Sequence, residues 1–168
     1  SNKPNEVRNF CRQNESVICK ALSNSTWIGD GRVRTHATVR VVADTFQDDR
    51  SVEACPAIYQ PESKKSFEAR VTVMGRSVFC AYLASQKSPE TKLDWRAAPQ
   101  HSDLAVAGEL PVAIRDRLFD FMDEMGLAFG AFDFIISEEG HWIFVEVNEA
   151  GQFLWVEFGV QQFPMLDA

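Results

Sequence analysis

The chain has 168 residues, 45% of them apolar and 24% charged, and a net charge of −7. That length suits one domain or a pair of small lobes, with enough apolar side chains for a substantial core. The acidic balance excludes a general nucleic-acid binder, which needs a basic surplus to neutralise phosphates; a local basic pocket for a small phosphate ligand stays compatible with it. No apolar run is long enough to span a bilayer, so no membrane partner is expected. Cys11, Cys19, Cys55 and Cys80 are scattered and form no CxxC pair. They read as reduced, mostly buried thiols of a cytoplasmic protein.

In chain order, the polar run "NEVRNFCRQN" reads as a short helix and "SVICKAL" (16–22) as a strand. A loop of small polar residues and glycine follows at 23–31. "RVRTHATVRVVA" (32–43) alternates in polarity and predicts one further strand. The polar stretch 44–55 reads as a helix or a long connection, and "AIYQPE" as a short strand after Pro56. "SFEARVTVMGRSVFCAYLASQ" (66–86) has two β-rich arms around Gly75 and predicts a hairpin. The segment 87–103 is a loop containing Asp94-Trp95-Arg96. "PVAIRDRLFDFMDEMG" (111–126) is the clearest helix: Pro111 suits its start, Gly126 its end, and Ile114, Leu118, Phe121, Met122 and Met125 form its apolar stripe. The chain ends in an apolar segment without a stop signal, which reads as part of a longer sequence. The fold class expected is α+β, with mainly antiparallel strands and flanking helices, in approximate lobes 15–61 and 62–168.

"FGAFDFIISEEGHWIFVEVNEAGQFLWVE" (129–157) places Asp133, Glu146 and Asn148 among large apolar side chains. If Glu139-Gly140 is a two-residue hairpin loop, Glu138 pairs with His141 and Asp133 falls opposite Glu146. Facing Cβ atoms in such a pair lie about 4.5–5.5 Å apart. Asn148, two residues beyond, points the same way. On this register Ile135, Trp142 and Phe144 share the face. Two close carboxylates in apolar surroundings repel each other. A hard divalent cation relieves that repulsion, and Mg²⁺ commonly takes one or two carboxylates together with substrate phosphates. The competing reading is an exposed acidic residue on an amphipathic hairpin.

Lys20 lies in the apolar strand "VICKAL", so it must reach a surface or meet an anion. Arg70 in "FEARVTV" and Arg96 in "LDWRAA" pose the same question, and arginine suits bidentate phosphate recognition. Each alone is more often a surface or ion-paired residue. Together with the acidic patch they suggest Mg²⁺-nucleotide chemistry.

The order "ICKALS", "IYQPESKKSFEARVTVMGRSVFCAY", "DWR", "FGAFDFI", "WIFVEVNEAGQFLWVE" resembles an ATP-grasp ligase, most closely the peptide maturases of microviridins and related graspetides. The resemblance starts near residue 14 and is most specific in "EVN-x-x-GQFLW". It implies ATP and Mg²⁺ as cofactors. It gives Lys20 a phosphate contact and assigns Ile58, Tyr59 and Gln60 to the strand lining the adenine pocket. Lys64, Lys65 and Glu68 fall where ribose and phosphate contacts are usual. Arg70 and Arg96 match basic residues near the γ-phosphate and acyl-phosphate, and Asp133, Glu146 and Asn148 match the metal ligands. The family commonly reads Asn-Pro after the glutamate, where this chain has Asn148-Glu149.

A full ATP-grasp ligase carries an N-terminal domain ahead of this region, so the chain resembles the C-terminal, ATP-binding portion of a longer enzyme, expected to be weakly active or inactive when isolated. The implied reaction joins a peptide or small-molecule carboxylate to an amine or hydroxyl acceptor through an acyl-phosphate. A kinase with the same nucleotide site and a non-catalytic nucleotide-binding domain are the alternatives. A homodimer is compatible with the sequence.

Overall fold

The computed structural model describes residues 1–22, 26–35, 37–97 and 101–168. The architecture is α+β with antiparallel pairing between every pair of neighbouring strands, as expected. The chain divides into two compact units, Ser1–Ser63 and Lys64–Ala168.

In the first unit, helix α1 (Pro4–Gln13) starts at a proline, which is tolerated in a first turn because its missing N–H has no intrahelical partner. Strand β1 (Val17–Ala21) follows, then β2 (Thr26–Gly29), β3 (Arg32–Thr35) and β4 (Val39–Val41). Helix α2 (Asp49–Ala54) is capped by the Asp48 carboxylate, which accepts from the Arg50 N–H, and β5 (Ala57–Pro61) ends the unit. β1 lies between β4 and β5, and Val7 and Cys11 of α1 pack on Val17, Val41 and Val52.

Two expectations are corrected here. The loop 23–31 contains strand β2, which forms a hairpin with β3 across Asp30 and Gly31, both at positive φ. The stretch 32–43 is not one strand, because β3 pairs with β2 while β4 pairs with β1. Continuous alternation says which way side chains point but not which partner a strand takes. Residues 23–25 of the predicted loop lie outside the described residues.

In the second unit, β6 (Phe67–Met74) and β7 (Ser77–Leu83) form the predicted hairpin, with Gly75 at φ 56° in its two-residue turn. Strand β8 (Ala105–Ala107), helix α3 (Val112–Met125), β9 (Phe129–Ile136), β10 (Trp142–Asn148) and helix α4 (Leu154–Gly159) complete it. The strand order is β10-β9-β6-β7-β8. α3 ends at Gly126 in the left-handed conformation glycine favours, as predicted. Its stripe needs one correction: Leu118 and Met122 are buried, but Met125 is 59% exposed and Phe119 packs on the core in its stead.

The five-stranded sheet has two different faces. Ala69, Val71 and Val73 of β6 and Phe132, Phe134 and Ile136 of β9 pack under Leu118 and Met122 of α3. By the two-residue period, Glu68, Arg70 and Thr72 of β6 and Asp133 of β9 point to the other face. Part of that face is roofed by a second cluster, in which Ala81 and Leu83 of β7 meet Trp95, Val156 of α4 and Val160 just beyond it.

Candidate active site

The β9–β10 hairpin reaches the predicted pairing of Asp133 with Glu146, but by another route. The Ser137 N–H donates to the His141 carbonyl at 2.9 Å, so the loop is Glu138-Glu139-Gly140 and not the two-residue Glu139-Gly140. Gly140 takes φ 83°, as a three-residue loop requires. Trp142 therefore pairs with Ile136 and Phe144 with Phe134, one residue out from expectation. A bulge between Phe144 and Glu146 adds one residue to β10 and restores Asp133 opposite Glu146.

The bulge also corrects the environment. Trp142 and Phe144 meet Phe134 edge-on, 5.3 and 5.9 Å between ring centroids, on the sheet face turned away from Asp133. Val147 packs on the core beneath α3, leaving Glu146 and Asn148 on the Asp133 side, both exposed. Of the three apolar residues expected beside the carboxylates, only Ile135 shares their face.

Asp133 has a partner that sequence reasoning did not assign. Arg70, its neighbour across the β6–β9 ladder, donates from Nη1 to both carboxylate oxygens at 2.8 and 2.9 Å. Both side chains are largely buried, 8% and 17% exposed. Even so, the Asp133 carboxyl is pushed up to about 6: burial is the largest cause, Arg70 opposes it, and the charges of Glu146 and Glu68 add to it. The repulsion expected from sequence is present, but desolvation outweighs it.

Other predicted residues gather round this pair. Lys65 donates to Glu68 at 2.8 Å and to the Leu93 carbonyl at 3.1 Å, in a nearly buried ion pair. Arg96 donates from Nε and Nη2 to the two Asp94 oxygens, both at 2.8 Å. This pairing chiefly raises its pKa, and the charges of Glu146 and Asp133 raise it further, which sets Arg96 within their field. Lys64 is exposed, and its charge acts on Glu139 in the β9–β10 loop.

In the first unit, Lys20 is half-buried and pairs with Ile58 across the β1–β5 ladder. Alternation puts Ile18, Lys20, Ile58 and Gln60 on the face away from α1. Tyr59 points the other way with Cys19, packs on the unit's core, and meets Phe46 edge-on at 5.6 Å. Any role for Tyr59 on the Lys20 face falls to its backbone.

The donor chemistry fits Mg²⁺. Glu146, Asn148 and Asp133 offer hard oxygen ligands. Asn148 Oδ1 accepts from the Ala150 N–H at 3.2 Å, which orients the amide, and a carbonyl oxygen keeps a second lone pair. Among the described residues, no group of three or more histidine, cysteine, aspartate or glutamate side chains forms a ready cation cage.

Sequence reasoning missed Asp94, Gln152 and Trp155. Gly151 lets the turn after β10 lie close against β9, since a Cβ there would sit 2.6 Å from that of Ala131. The Gln152 carbonyl then accepts from both Arg70 Nη2 at 3.4 Å and Trp155 Nε1 at 3.2 Å. The motif "GQFLW" was visible as a motif, but nothing in its spacing ties a carbonyl to an arginine 82 residues away.

No family model matches the sequence, and no curated protein matches it. Among solved structures the chain has the fold of ATP-grasp ligases, and the resemblance read from its sequence holds. A RiPP-associated ATP-grasp ligase from Chryseobacterium gregarium, in complex with ADP and a leader and core peptide, superposes with a TM-score of 0.88 at 30% identity, over 94% of this chain and 47% of that one. The macrocyclase MdnC from Microcystis aeruginosa MRC, bound with precursor peptide MdnA, matches at TM-score 0.81 and 26% identity, over 98% of this chain and 49% of that one. PsnB, complexed with minimal precursor, Mg and ADP, shares the fold at TM-score 0.68 and 20% identity, over 96% and 47%. The chain thus spans about half the length of the structures it matches.

Proposed function

We propose that this chain is the nucleotide- and metal-binding part of a longer, ATP- and Mg²⁺-dependent ATP-grasp ligase that matures a peptide. It would join a carboxylate to an amine or hydroxyl through an acyl-phosphate. The observation that carries the reading is the β9–β10 pairing, which puts Glu146 opposite Asp133 beside the Arg70 guanidinium. Likeness to ligases described with ADP and with precursor peptides supports the substrate class.

Asp133, Glu146 and Asn148 would hold the Mg²⁺, whose charge offsets that of the transferring phosphoryl group. Arg70 and Arg96 bring fixed positive charge to where negative charge develops during transfer. Lys65 and Glu68 are retained as ribose and phosphate contacts. Lys20, Ile58 and Gln60 with the Tyr59 backbone are retained as nucleotide contacts of the first unit. The substrate carboxylate attacks the γ-phosphorus and releases ADP. The acceptor amine or hydroxyl then attacks the acyl carbon and releases phosphate. No side-chain nucleophile of the protein is required, since both nucleophiles belong to substrates. Four unpaired cysteines are in keeping with a cytoplasmic enzyme.

The test is product analysis with the full-length enzyme, ATP, Mg²⁺ and a carboxylate-rich precursor peptide. Loss of one water per bond, with phosphate released, is the expected result. A stable phosphorylated product indicates the kinase, and nucleotide binding without turnover indicates the non-catalytic domain. Glu146→Gln, which removes a charge and keeps the shape, should abolish most Mg²⁺-dependent turnover while leaving the metal-free fold at least as stable.

A further inference from the structure

We infer that Trp155 is a positioning residue: its indole holds the Arg70 guanidinium in its working orientation and couples it to the segment that carries Arg96. The inference rests on the reading of Arg70 as a phosphoryl contact.

Arg70 is pinned on one side only. Nη1 is committed to both Asp133 oxygens. Nη2 reaches only a long contact of 3.4 Å to the Gln152 carbonyl, and the buried Nε has no hydrogen-bond partner. Two short hydrogen bonds through one nitrogen and one long one through the other hold the plane of the guanidinium only loosely against tilting. The Trp155 ring lies against it, 5.8 Å from Cζ to the ring centroid. A ring at that distance attracts the cation through its quadrupole and blocks tilting toward the ring.

Trp155 is itself fixed at two points. Its Nε1–H donates to the same Gln152 carbonyl that accepts from Arg70, and its face stacks on Trp95 at 5.0 Å with a 29° interplanar angle. Trp95 stands between Asp94 and Arg96, the two partners of the bidentate pair. The stacked indoles therefore link the segment bearing one site arginine to the guanidinium of the other. Misplacement of a charged group at a phosphoryl-transfer site shows chiefly in turnover, because its contact strengthens as charge develops.

The experiment measures kcat and KM for ATP and peptide in the full-length enzyme carrying Trp155→Leu, Trp155→Phe or Arg70→Ala, each with its melting temperature. Trp155→Leu, which keeps apolar bulk and removes the quadrupole, should lower kcat roughly five- to thirtyfold with KM for ATP little changed. Trp155→Phe keeps an aromatic face and should recover most of that loss. In an Arg70→Ala background, Trp155→Leu should cost little more. Should the leucine variant fail to fold, Trp95→Leu removes only the stacked ring and should lower kcat with KM held. Equal losses for the leucine and phenylalanine variants, or additive losses with Arg70→Ala, overturn the positioning role. An undiminished kcat in Arg70→Ala overturns the reading of Arg70 and the inference with it, whereas a normal Trp155→Leu beside a crippled Arg70→Ala overturns the inference alone.

Discussion

Arg96 is held by two parallel N–H donors on Asp94, the geometry in which a guanidinium is most firmly oriented. An oriented charge aids a transition state more than a ground state, so Arg96→Ala should reduce turnover more than ATP affinity. Steady-state kinetics beside calorimetric titration decides this, and an unchanged turnover number refutes the role. Asp133 makes a prediction of a different kind. Its carboxyl rises from 3.8 in the unfolded chain to about 6 in the native protein, so the native state binds the extra proton between those values. Its contribution to stability is therefore largest below about pH 4 and falls as pH rises through 6, by roughly 3 kcal/mol in total. Subtracting the urea-unfolding free energies of Asp133→Asn from those of the wild type at each pH isolates this slope in the metal-free protein. A difference that grows with pH would mean that Arg70 dominates over burial.

At the scale of elements, β10 shows what a sequence reveals and what it conceals. The pairing of Asp133 with Glu146 was legible, yet it came from a loop counted one residue short and a bulge not counted at all, and the two errors cancel at this pair. They do not cancel at Trp142 and Phe144, which is why the carboxylates' neighbours were misread. A bulge at Val145 leaves no mark in "WIFVEVN", where the extra residue is as apolar and β-prone as those beside it. The helix at 112–125 was legible because its limits are chemical, a proline at one end and a glycine at the other. Strand β8 and helix α4, three and six residues long, are too short to show a period, and the contacts of Trp155 on α4 with Arg70 and Trp95 arise only in the fold. The bulge yields a paired prediction. Deleting Val145 restores simple alternation with Phe144 and Glu146 still on opposite faces, so most Mg²⁺-dependent turnover should survive. Deleting Val147 turns Asn148 to the other face and should abolish most of it. Equal loss in the two deletions would show that the shape of the bulge, and not the facing of the residues, is what the site requires.

For the molecule as a whole, the site's charges imply a joint response to ligands. On the proposed reading, two carboxylates and an amide would take up the metal and the arginines the anionic nucleotide, so that each ligand would supply what the other lacks. Mg²⁺ alone or ADP alone should raise the melting temperature little, and together they should raise it more than the sum. At a ligand concentration a hundredfold above Kd the gain is about 2.7 kcal/mol. Strictly additive shifts in a thermal scan would mean that the two bind independently. The bulge in β10 has one more consequence, which concerns how molecules of this protein meet one another. β10 is the outer strand of its sheet, and Ile143, Phe144 and Val145 lie partly exposed along it. A straight, greasy border of this kind is a template on which a second molecule can add its own strand. The irregular residue breaks that template at its most apolar point. The same insertion that leaves Glu146 facing Asp133 should thus also disfavour edge-to-edge pairing, and a variant straightened at Val145 is expected to stay active while becoming harder to hold in solution.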